Sequence, residues 1–66
     1  MLDVKFEGWE LVSSSRADME VFNSVGLCVL KAEDCLRLSL IGLPTGIYIV
    51  KAYNKDNQIT KKIWLR

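Results

Sequence analysis

Apolar residues in this chain recur at every second position nearly everywhere, and no window repeats them at the three- and four-residue spacing over the length of a helix, which constrains the fold more than any other feature. Leu2, Val4 and Phe6 alternate with Asp3 and Lys5, and Ile59, Ile63 and Leu65 share a parity near the other end. A half-buried strand buries one face and wets the other, so period two predicts an all-β protein. Turn chemistry divides the alternation. Gly8 separates Leu2–Phe6 from Trp9–Ser13 as a first hairpin, and Ser13–Asp18 reads as a polar connection. Met19–Asn23 then forms a strand closed by a Gly26 turn that needs positive φ. Leu27–Lys31 and Cys35–Ile41 follow, joined by a turn at Ala32–Asp34, with Leu36, Leu38 and Leu40 as a core stripe. Leu43-Pro44-Thr45-Gly46 is a turn, Ile47–Tyr53 a central strand, Asn54–Asn57 a hairpin loop and Ile59–Leu65 the last strand. About seven short antiparallel strands in one domain spanning 1–66 predict a β-sandwich.

Composition narrows the function classes. With 66 residues, one domain fills the chain, and half the residues are apolar, enough for a compact fold. Nine Lys and Arg against eight Asp and Glu give +1, too near neutral for a dedicated nucleic-acid binder. Histidine is absent, which removes the commonest general base and metal ligand. Cys28 and Cys35 cannot fill a four-ligand zinc site, so neither an enzyme nor a metal or other cofactor is expected. In the predicted pairing Cys28 lies opposite Leu38 and Cys35 opposite Lys31, on different faces, which predicts two free thiols. The first residues lack the basic start and apolar stretch of a signal peptide.

Charge is uneven. Residues 51–66 hold Lys51, Lys55, Lys61, Lys62 and Arg66 against Asp56 alone. Lysines on a terminal strand discourage edge-to-edge pairing, and the same strip with Trp64 between Lys62 and Arg66 also suits a docking surface. Trp9 and Trp64 either cap the core or stand exposed.

The order of elements from Met19 onward resembles a known family. The run Glu20-Val21-Phe22-Asn23-Ser24-Val25-Gly26 has a strand ending in an aromatic and an Asn before a turn glycine. Leu43-Pro44-Thr45-Gly46-Ile47-Tyr48 then enters a long strand, and Lys61-Lys62-Ile63-Trp64-Leu65-Arg66 closes the chain. Together these resemble the C-terminal sorting domain of type IX (Por) secretion over residues 19–66, leaving 1–18 unassigned. The resemblance implies a non-catalytic Ig-like β-sandwich at the end of secreted cargo in Bacteroidetes. Such a domain would be read by an outer-membrane translocon and shuttle proteins after periplasmic transit, then cut by a cell-surface sortase that links cargo to anionic lipopolysaccharide. Matched to this chain, partner recognition falls on Leu43, Pro44, Gly46, Ile47, Tyr48, Lys61, Lys62, Ile63, Leu65 and Arg66. An alternative is an Ig-like adhesion or carbohydrate-binding module in which Trp9, Tyr53 and Trp64 stack on sugars. Unpaired edges also predict a homodimer through edge strands.

Overall fold

The computed structural model describes residues 2–66. Among these, five strands form one antiparallel sheet: β1 (Val4–Glu7), β2 (Glu10–Phe22), β3 (Cys28–Ser39), β4 (Gly46–Tyr53) and β5 (Gln58–Leu65). The all-β class and the central place of β4, between β2 and β5, match the sequence reading. The expected seven strands become five because two predicted breaks lie inside long strands.

The first is at Ser13–Asp18. These residues continue β2, with odd-numbered side chains turned inward: Leu11, Ser13, Ala17, Met19 and Val21 are all buried. The β2–β3 register shifts between Val12 and Ala17, where β2 leaves β1 and goes on to pair with β4. An inward serine suits that bend: the Ser13 hydroxyl donates to the Ser15 carbonyl, so its burial leaves no polar group unpaired. The second is at Ala32–Asp34, where the expected turn is a bulge within β3. Two steps along β2, Ala17 to Met19, face three along β3, Cys35 to Ala32, and Asp34 takes φ 47°. Its N–H donates to Asp18 Oδ1 at 2.9 Å and its carbonyl accepts from Arg16 Nη1 at 2.8 Å, which hold the uncommon backbone in place.

The corrected register also corrects the leucine stripe and the cysteines. β3 pairs along β2 instead of folding back on itself, so Cys28 faces Phe22 and Cys35 faces Ala17. Leu40 is fully buried and Leu38 packs against the core, whereas Leu36, next to the bulge, is exposed. Both thiols are free, Cys28 exposed and Cys35 half-buried. Burial, then the nearby Asp18 and Asp34 carboxylates, raise the Cys35 pKa above the ordinary thiol value against a smaller opposing pull from Arg16. Since the thiolate is the nucleophile, iodoacetamide near pH 8 should label Cys28 well before Cys35. Equal labelling rates by mass spectrometry would contradict the placement of the two sulfurs.

Turn predictions elsewhere agree with the structure. Gly26 has φ 88°, and the Asn23 side-chain oxygen accepts from the N–H groups of Val25 and Leu27 to close that turn. Asn54 Oδ1 likewise accepts from Asp56 and Asn57 in the β4–β5 loop. The bend in β2 curls the sheet so that β1 lies against β5 across a core of Leu2, Val4, Leu11, Met19, Val21, Leu40, Val50 and Leu65.

Candidate recognition surface

The β4–β5 hairpin brings together the two segments that the sequence singles out. Gly46 pairs with Leu65, Ile47 with Trp64, Tyr48 with Ile63 and Ile49 with Lys62. Alternation then sorts the residues onto two faces. Tyr48, Ile63 and Leu65 turn inward and are buried, while Ile47, Lys62, Trp64 and Arg66 turn outward and are exposed.

The inward group is structural. Tyr48 is buried, and its hydroxyl donates to the Pro44 carbonyl at 2.7 Å, which ties the Leu43–Thr45 turn to the strand it feeds. Leu43 packs against the core beside this clip, and Pro44 is exposed. Gly46 sits at φ 150°, in the region that side chains rarely adopt, although the space beside it is open. Tyr48→Phe leaves the Pro44 carbonyl short of its partner and should cost about 1 kcal/mol, read as a lower melting temperature. An unchanged melting temperature would show that the clip contributes nothing.

Lys61 belongs with this group, which sequence reasoning missed. Its parity is that of Ile63 and Leu65, and its Nζ donates to the Val4 carbonyl at 2.6 Å and lies 3.6 Å from Asp3 Oδ1. It therefore bridges β5 to β1 across the curl. The signal was present in the alternation, since a lysine between two inward positions must reach the rim of the core to keep its amine paired.

The outward group forms a continuous surface. Trp64 is 60 % exposed and stands opposite Ile47, itself 42 % exposed, an aromatic–aliphatic cross-strand pair. The Arg66 guanidinium carbon lies 4.4 Å from the Trp64 ring centroid, a cation–π contact on the exposed face. One row further along, Lys62, Ile49 and Phe22 run across β5, β4 and β2. Neither tryptophan caps the core, for Trp9 is also exposed. Tyr53 faces Gln58 at the far end of the hairpin from Ile47 and Trp64, roughly 20 Å along the strand, so the aromatics expected to stack on sugars do not form one platform.

The whole chain, residues 1–66, matches the family model described as "Secretion system C-terminal sorting domain". The chain belongs to this family. The match is wider than the 19–66 resemblance, and the structure gives the reason: β1 and the first half of β2 complete the same sheet and core. This sorting domain is a signal of type IX secretion in Bacteroidetes, a non-catalytic role that implies export to the cell surface or beyond as part of a larger cargo. Among curated proteins and solved structures, none matches the chain.

Proposed function

We propose that this sorting domain directs its cargo across the outer membrane by presenting the folded β4–β5 hairpin to the secretion machinery. The observation that carries the reading is the register of that hairpin, which sets Gly46-Ile47-Tyr48 beside Ile63-Trp64-Leu65. Recognition then divides by face. Leu43, Pro44, Gly46, Tyr48, Lys61, Ile63 and Leu65 build and hold the hairpin, and Ile47, Lys62 and Arg66, with Trp64 added, touch the partner. The outer-membrane translocon and its shuttle proteins read the domain in the periplasm, a cell-surface sortase acts after transit, and the curled sheet serves as the Ig-like scaffold. One domain, 1–66, suffices for this.

Association of two copies belongs to the same reading through β3, which pairs with β2 alone. Light scattering that finds only monomer at high concentration would remove that part. The sorting role itself is tested by fusing residues 1–66 behind a Sec-exported fluorescent reporter. Surface display confined to a host with type IX machinery supports it, and periplasmic retention there removes it.

A further inference from the structure

We infer that the outward face of the β4–β5 hairpin is a docking site for an acidic, partly apolar segment of a partner protein, anchored on Trp64. This rests on the sorting reading for its biological setting, but its chemistry follows from the face itself.

Charge is the first observation. Lys62 and Arg66 flank Trp64 on the outward face, and among the described residues neither forms an ion pair with a carboxylate. By contrast Lys31 is 3.7 Å from Glu20, Arg37 is 2.8 Å from Glu10, and Lys61 faces Asp3. Lys51, opposite Glu20, adds a third cation without an ion pair on the same face, so three of the five such cations among the described residues share it, while Lys5 on β1 and Lys55 in the β4–β5 loop lie elsewhere. A partner that supplies carboxylates completes what the fold leaves unmatched.

The second observation is the anchor. Interface energy concentrates in tryptophan and arginine, above all where the side chain is already held in one geometry. Trp64 has Arg66 over its ring and Ile47 opposite, contacts that favour such a geometry. Its exposure is not forced by crowding within, because its neighbours Ile63 and Leu65 fill the core from the same strand. Ile47, Ile49 and Phe22 extend the apolar part across three strands, a footprint suited to an extended segment that alternates acidic and apolar side chains.

A protein segment fits better than a lipid surface. Electrostatic membrane binding draws on clusters of about four to eight Lys or Arg. Lys51, Lys62 and Arg66 are fewer, and Glu20 stands beside them.

The test uses the 66-residue chain carrying Trp9→Phe, so that Trp64 alone reports by fluorescence. The probe is a synthetic peptide alternating Glu with Val and Leu, compared with the same peptide carrying Lys for Glu and with phosphatidylglycerol vesicles. Saturable change with the acidic peptide alone, weakened as salt rises from about 50 to about 500 mM, is expected. Lys62→Glu with Arg66→Glu should weaken it by about tenfold or more, and Lys55→Glu, in the distant loop, should leave it unchanged. No response to the acidic peptide, an equal response to the lysine peptide, or binding to vesicles in its place would overturn the proposal. In cells, the double charge reversal, checked to melt as the parent does, should abolish surface display of the reporter. Display of the charge-reversed domain beside normal display of the parent overturns this site and leaves the sorting role standing. Failure of the parent itself removes the sorting role, and the peptide result then decides the site alone.

Discussion

Leu65→Ala should lower the melting temperature by roughly 10–30 °C, while Trp64→Ala, one residue earlier, should change it by only a few degrees. Leu65 is 1 % exposed and among the largest side chains fully inside the core, whereas Trp64 is 60 % exposed on the opposite face. Truncating a buried leucine to alanine costs about 2–5 kcal/mol in lost burial and residual cavity. A domain of this length holds only about 3–10 kcal/mol in all, so one such loss removes a large share. The pair of neighbours is the informative comparison, because alternation along β5 is all that distinguishes them. Similar losses at both positions, measured by circular dichroism, would mean that the faces are misassigned.

Deleting Lys61–Arg66 should bring surface delivery of a tagged cargo down to the level of an untagged one. The deletion removes Ile63 and Leu65 from the core and the Lys61 bond to the Val4 carbonyl. It also strips Gly46–Val50 of their β5 partners, which leaves β4 as an exposed edge. Loss of delivery is therefore expected twice over, from the missing contact surface and from the collapse of the scaffold. Leu65→Ala separates the two, for it disturbs the scaffold and keeps Ile47, Lys62, Trp64 and Arg66. Undiminished delivery by the deleted form would contradict the account, since neither route would then matter.

The C-terminal half was legible in the sequence because its strands obey the simple rule. Ile47–Tyr53 and Ile59–Leu65 were predicted from alternation and an Asn-rich loop, and β4 and β5 start within one residue of those positions. β2 and β3 were not legible as single strands, for identifiable reasons. Ser13 and Ser15 are polar at odd-numbered positions of β2, where the alternation wants apolar residues, and the bonds of the Ser13 hydroxyl to the Ser15 backbone make Ser13 tolerable inside. Asp34 carries a positive φ without being glycine, so nothing in its local chemistry separates a bulge from a turn. The candidate surface was half legible. Its residues were picked out together, but matching a motif does not say which side of a strand each occupies. The structure moves Tyr48, Lys61, Ile63 and Leu65 to the supporting side and brings Trp64, read as part of a basic strip, to the centre of the exposed one.

This folded domain should be sufficient as an export signal. The direct measurement is the fraction of a Sec-exported reporter ending in residues 1–66 that externally added protease can reach, in a type IX-competent host and in its translocon-deficient mutant. Protease-accessible reporter is expected in the competent host, and protected, periplasmic reporter in the mutant. Equal protection in both hosts, with the domain shown to be folded, would contradict it.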